Sequence, residues 1–130
     1  MRDLIEELKA LADPSRLRIV SLIWEAEDLC SCEIENILDL KQSNASRHLY
    51  RLRTAGLLDS YKKAQWMHYT MPEDYTGEHG GSRRFLQEII LTAREEQEIF
   101  NNDLKRFHDY RDRGFTCATI HQWVPFKYAG

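Results

Sequence analysis

Apolar residues in the first half of the chain recur at three- and four-residue intervals, the repeat of a helix with one buried face. Leu4, Ile5, Leu8, Leu11 and Ala12 predict a first helix over 3–12. Asp13-Pro14-Ser15 then interrupts the pattern, with Asp13 as the cap and Pro14 at the first position of a second helix over about 14–25. An acidic loop, EAEDL, leads to a third helix over about 31–38, with Ile34, Ile37 and Leu38 inward. After a short turn near 39–42, Leu49 and Leu52 mark the buried stripe of a fourth helix, which Gln42, Ser43 or Asn44 can cap and Gly56 ends. Its open face carries Arg and His. Residues 57–61 and 65–71 read as two strands with Lys62-Lys63-Ala64 at the turn. A glycine-containing loop over 72–82 precedes a fifth helix over 83–112, and the aromatic tail 113–130 is expected to pack on the domain or on a partner subunit. The order is four helices, a hairpin and a fifth helix, in one mainly α domain over 1–112.

Charge sharpens this picture. The net charge of −3 averages two unlike parts: residues 41–63 hold Lys41, Arg47, Arg51, Arg53, Lys62 and Lys63 against Asp59 alone, net +5, so the remainder carries −8. The basic residues fall on the fourth helix and the hairpin. Two tightly joined helices, the second basic and followed by a basic hairpin, form a helix-turn-helix with a wing, a pattern that suits double-stranded DNA. No apolar run approaches the roughly 20 residues of a membrane span, and the charged N-terminus lacks a signal-peptide core, so a cytoplasmic protein is expected. Three cysteines, Cys30, Cys32 and Cys117, are too few and odd in number for a disulfide framework, which leaves free thiols or ligands. No Cys-x-x-Cys, Ser-His-Asp arrangement or glycine-rich phosphate loop points to an enzyme.

In order, the blocks LKALADPSRLRIVSLI, DLCSCEI, SNASRHLYRLRTAGLL and QWMHYTM, spread over about residues 4–71, resemble the arsenic-repressor (ArsR/SmtB) family of metal-responsive winged-helix regulators. The resemblance implies a homodimer formed through the first and last helices. Two recognition helices would then enter successive major grooves of a palindromic operator, with half-sites roughly 34–36 Å apart. Gln42, Ser43, Asn44, Ser46, Arg47 and His48 lie in the first two turns of the recognition helix, where Gln, Asn and Arg can read base edges. Arg51, Lys62, Lys63 and Gln65 are expected to complete the DNA contacts, the cations on phosphate.

The resemblance also makes Cys30 and Cys32 inducer ligands. Two positions apart, they would point about 200° apart on a regular helix, so gripping one ion requires the first turn of the third helix to unwind or not to form. A helix N-terminus favours the thiolate, whereas Glu27, Asp28 and Glu33 oppose it. The best-known arsenic sensors of the family carry a third cysteine three positions after the second; here that residue is Glu35. Cys117 is therefore the expected third ligand, from the same or the partner protomer. Arsenite or antimonite is the first inducer expected and cadmium, lead or zinc the next, with no permanent cofactor. His108 beside Asp109 has poor ligand spacing for the family's other metal site, and His79 and His121 are isolated. The alternative is a winged-helix repressor of the same build in which oxidation of the cysteines is the signal.

Overall fold

The computed structural model describes residues 3–76 and 83–125, so part of the expected 72–82 loop, with His79, and the last five residues of the tail lie outside the described residues. In order, the elements are α1 Leu4–Leu11, α2 Pro14–Ala26, β1 Asp28–Cys30, α3 Ser31–Leu38, α4 Gln42–Thr54, β2 Asp59–Lys63, β3 Trp66–Thr70, α5 Glu73–Thr76, α6 Phe85–Glu96 and α7 Glu98–Asp112, then a 3-10 turn at Ile120–Gln122. This is a winged helix-turn-helix, mainly helical with a small antiparallel sheet. No helix among the described residues is long and apolar enough to cross a membrane.

Local chemistry sets the element ends that matter. Asp13 takes the Arg16 N–H at 3.0 Å and Pro14 opens α2. Glu27, at φ 73°, turns the chain out of α2. After α4 the chain closes with Leu57 N–H on the Leu52 carbonyl at 2.9 Å and Gly56 N–H on that of Arg53 at 3.0 Å, a Schellman end whose C′ residue, Gly56, sits at φ 81°. That turn delivers Leu57 and Leu58 into the core, where they join Ile19, Leu22, Ile23, Ile34, Ile37, Leu49 and Leu52, all at most 2% exposed. Each such side chain contributes about 1.5–3 kcal/mol by leaving water, which is what fixes α4 on α2 and α3.

Four expectations about the elements change. The acidic segment read as loop ends in a strand: β1 pairs antiparallel with β3, Cys30 opposite His68, so the sheet has three strands in the order β1-β3-β2. Three residues are too few to show an alternation. The hairpin turn lies two residues later than Lys62-Lys63-Ala64, because Ala64 adopts φ 56° and the strand runs through Lys63, paired with Trp66. The fifth helix is two helices broken at Gln97, whose φ of −129° is extended. Glu95 and Glu98, like charges one helical turn apart, disfavour continuity there, and the Asn101 amide takes over the freed Arg94 carbonyl at 2.6 Å. The start of the expected loop forms α5, anchored by the fully buried Tyr75, whose hydroxyl donates to the buried Glu7 of α1 beside Arg83.

α3, which leads into α4, is held at both ends by later parts of the chain. At its C-terminus, Arg18 donates to the Leu38 carbonyl and, bidentately, to Asp103 of α7 at 2.8 and 2.9 Å. Arg106 of α7 donates to the carbonyls of Ile37 at 2.6 Å and Asn36 at 3.0 Å. These guanidinium groups satisfy carbonyls that a helix end leaves without partners. The tail folds back over α7: Trp123 donates to Asp109 at 2.9 Å, its ring meets Tyr110 edge-on at 5.4 Å, and the Arg106 guanidinium lies 5.3 Å from its centroid.

Candidate nucleic-acid interface and thiol centre

α4 begins at Gln42 after Lys41, which caps it without a side-chain hydrogen bond. Gln42, Ser43 and Asn44, expected to cap, are therefore left with their side chains in solvent, and Ser46 and Arg47 are exposed beside them. Asn44 and Arg47 touch through a hydrogen bond of 3.4 Å. Lys62, Lys63 and Gln65 are exposed on the wing. Arg51 sits half-buried beside Glu6 of α1 at 3.4 Å. The structure thus gathers the exposed polar first turns of α4 and the cations of the wing on the two elements a winged helix presents to DNA.

His48 departs from expectation. It is 8% exposed, not on the open face, and its Nδ1 has no hydrogen-bond partner among the described residues. Ala45, His48, Leu49 and Leu52 follow the i, i+3, i+4, i+7 spacing, so His48 belongs to the buried stripe. Burial pushes its pKa below the ordinary 6.5, with the Arg16 and Arg47 cations adding to the effect and Asp13 opposing it. The folded chain therefore resists the proton that the unfolded chain accepts. On acidification the unfolded chain protonates first, and stability should fall as the pH drops below about 6.5. Urea midpoints measured between about pH 5 and 8 are expected to show a shallower decline for His48→Gln than for the native chain; identical slopes would remove His48 from this role.

The thiols lie at the other end of α3. Cys30 is the last residue of β1 and the N-cap of α3, with extended backbone at φ −82° and ψ 163°. It therefore stands outside the helix, and the conflict expected between two side chains on one unbroken helix does not arise. Cys32 lies half-buried in the first turn. Cys117, from the tail, brings its sulfur within 4.8 Å of that of Cys30. Glu33 is the hub of this cluster. Its carboxylate accepts from the Cys30 N–H at 2.9 Å, from the Cys117 thiol at 3.2 Å and from the Tyr110 hydroxyl at 2.6 Å. The ligand atoms of Cys30, Glu33 and Cys117 all lie within 4.8 Å of one another.

The electrostatics run against the expected thiolate. Burial pushes the Cys30 thiol far up, the bond with Cys117 adds to this, and the Glu33 N–H opposes it. Burial also raises Cys32, reinforced by Glu35 and Glu33. Cys117 is raised by burial and by its hydrogen bond to Glu33, against the Cys30 contact. All three thiols thus hold their protons, and Tyr110, raised by burial and Glu33, stays a neutral donor. Glu33 and Tyr110 were not singled out from the sequence. The signal for Glu33 was present, since a glutamate three positions after an N-cap is the capping-box spacing; Tyr110, 77 residues away, left none.

An exposed recognition helix, a basic wing and a sheet of this topology define a winged-helix DNA-binding transcriptional regulator. Residues 13–60 match the family model described as "Bacterial regulatory protein, arsR family". The chain belongs to that family. It is 44% identical over 63 residues to the arsenic resistance transcriptional regulator ArsR1 of Pseudomonas putida, a match covering 48% of this chain and 49% of that protein. It is 31% identical over 74 residues to the arsenical resistance operon repressor of Bacillus subtilis, covering 57% of this chain and 70% of the relative. The chain thus spans about half the length of the P. putida regulator. Among solved structures, HlyU from Vibrio cholerae superposes with a TM-score of 0.56 at 30% identity, over 71% of this chain and 89% of that one.

Proposed function

We propose that this regulator is a homodimeric repressor that leaves a palindromic operator when a thiophilic metalloid or metal binds the thiolates of Cys30 and Cys117, with Cys32 able to supply a third sulfur. The observation that carries the reading is the convergence of Cys30 and Cys117, from two distant parts of the chain, at the N-cap of α3, the helix that leads into α4, with Cys32 two residues further on in its first turn. Three sulfurs suit arsenite or antimonite, the inducers to test first; cadmium, lead and zinc follow. The names of several relatives, which describe arsenic and cadmium resistance regulators, support the same class.

Base readout is assigned to Gln42, Ser43, Asn44, Ser46 and Arg47, and phosphate contact to Lys62, Lys63 and Gln65, with Arg51 joining them if it leaves Glu6. Residues 1–112 serve as the DNA-binding and dimerisation unit, and the tail contributes Cys117. Dimerisation is supported by the apolar side chains that α1 exposes, Leu4 at 47% and Ile5 at 57%, together with Leu8. Coordination at the N-cap and hydrogen bonding within the α3 clamp cannot both keep their present geometry, and by linkage operator and inducer then weaken each other's binding by the same factor. Oxidation of the cysteines is the alternative signal, and the raised thiols weigh on both readings alike, because the thiolate is the form that reacts with an oxidant and the form that binds an ion.

The test uses a duplex selected from random sequence by the protein itself, with binding followed by fluorescence anisotropy under reductant. Cys30→Ser and Cys117→Ser are expected to hold the duplex within about threefold of the native chain and to lose arsenite-driven release, a shift of about 5–150-fold for a coupling of the usual 1–3 kcal/mol. Variants that still respond, or release driven by peroxide alone, would refute the coordination reading.

A further inference from the structure

We propose that Cys30, Cys117 and Glu33 form a mixed thiolate–carboxylate site for a divalent thiophilic cation, separate in donor set from the three-sulfur arrangement that a trivalent metalloid takes by recruiting Cys32. The inference rests on the thiol-coordination reading above and adds Glu33 as a ligand.

Three features support it. The first is distance. In a tetrahedral site with bonds of about 2.0–2.3 Å, neighbouring ligand atoms stand about 3.3–3.8 Å apart. The Cys30 and Cys117 sulfurs and a Glu33 oxygen already lie within 4.8 Å of one another, so shifts of about 1 Å close the set around an ion. Cys117 and Glu33 are already joined through one proton at 3.2 Å, the position a cation would take over.

The second is charge. A divalent cation displaces one proton from each of two thiols, both lost to solvent, and the resulting dithiolate is neutral overall with its metal. Adding the Glu33 carboxylate gives the cation a third anionic donor in a buried place where water is a poor competitor. A trivalent metalloid on three thiolates already has its full set of donors, whereas a divalent cation on two thiolates leaves half of a tetrahedral set unfilled, which the carboxylate can enter. The two inducer classes therefore divide Cys32 and Glu33 between them.

The third is access. Cys117 lines a cavity of about 230 Å³ beside the wing, together with Lys63, Trp66, His68 and Thr116, so the site borders open space at its Cys117 end, with Lys63 on the same wall. Occupancy also reaches α3 directly. The oxygen that would bind the cation is the one that accepts from the Cys30 N–H, so loading the site withdraws the cap from the first turn of α3.

Glu33→Gln and Cys32→Ser of the full chain, titrated under reductant with cadmium chloride and separately with arsenite, test this division. Glu33→Gln keeps a carbonyl acceptor for the Cys30 N–H and the Cys117 thiol, turns an amide N–H toward the Tyr110 hydroxyl oxygen, which can accept it, and loses the anionic ligand. It is expected to weaken cadmium binding by about tenfold or more and to leave arsenite binding within about threefold. Cys32→Ser is expected to do the reverse. X-ray absorption of the cadmium-loaded native chain guards against a variant that misfolds: two sulfur neighbours are expected, and three would overturn the proposal, as would a Glu33→Gln chain that binds both ions normally. The underlying reading fails separately, if Cys30→Ser leaves both ions bound.

Discussion

Asp103→Ala is expected to lower the unfolding free energy by about 3–5 kcal/mol, the usual cost of stripping one partner from a buried ion pair. The Asp103 side chain is 5% exposed and that of its partner Arg18 is 16%, so water cannot substitute for the lost carboxylate. Burial outweighs Arg18 and nudges the Asp103 carboxyl upward, a sign that this site is costly to charge without a partner. Arg18 also donates to the Leu38 carbonyl, so the damage extends to the C-terminus of α3. A urea titration followed by tryptophan fluorescence reads the effect as a lower midpoint with unchanged slope. The double replacement Arg18→Met with Asp103→Leu should recover most of the loss, because an apolar pair needs no compensation. A single variant within about 1 kcal/mol of the native chain would show that the pair is not a structural tie.

Operator affinity is expected to fall about a thousandfold between 50 and 200 mM salt. In the proposed dimer, Arg51, Lys62 and Lys63 from each of two protomers would give about six phosphate contacts, each contributing a slope of about −0.9 in log affinity against log salt. Anisotropy titrations at four or five salt concentrations give that slope directly. Lys62→Ala and Lys63→Ala in the dimer should each reduce it by about two, one for each copy, without altering which duplex is preferred. A slope near zero would remove the basic wing from the interface. A slope near four, insensitive to Arg51→Ala, would instead mean that Arg51 stays with Glu6, its partner at 3.4 Å.

What could be read from the chain alone follows from how each signal is encoded. α2 to α4 announce themselves because each buries a regular stripe, α1 because it carries one, largely exposed, and two of their ends carry residues with one purpose: Asp13 with Pro14 at the start of α2, and Gly56 after α4. The same stripe arithmetic placed His48 inside, three positions after Ala45 and four before Leu52, but its polar character suggested the opposite face. β1 was invisible because a three-residue strand has no period. The wing turn was misplaced because Ala64, a residue with no preference for the left-handed region, occupies it, while the more turn-like Lys-Lys stretch lies in the strand. At the thiol centre, the cysteines stood out by type, and their chemistry was legible. What was not legible was the polar frame: Glu33 gathers Tyr110 and Cys117 through tertiary contacts that local pattern cannot report.

The clamp on α3 has a consequence for biosynthesis. Both ends of this eight-residue helix are completed by groups that come later, Arg106 at one end, where Asp103 also holds Arg18 beside the Leu38 carbonyl, and Tyr110 and Cys117 at the other. As the polypeptide leaves the ribosome, α1 through the wing emerge well before those groups exist. During that interval α3 has frayed ends and α4 lacks its firm support. The order of synthesis therefore withholds the groups that complete α3 until α7 and the tail have been made.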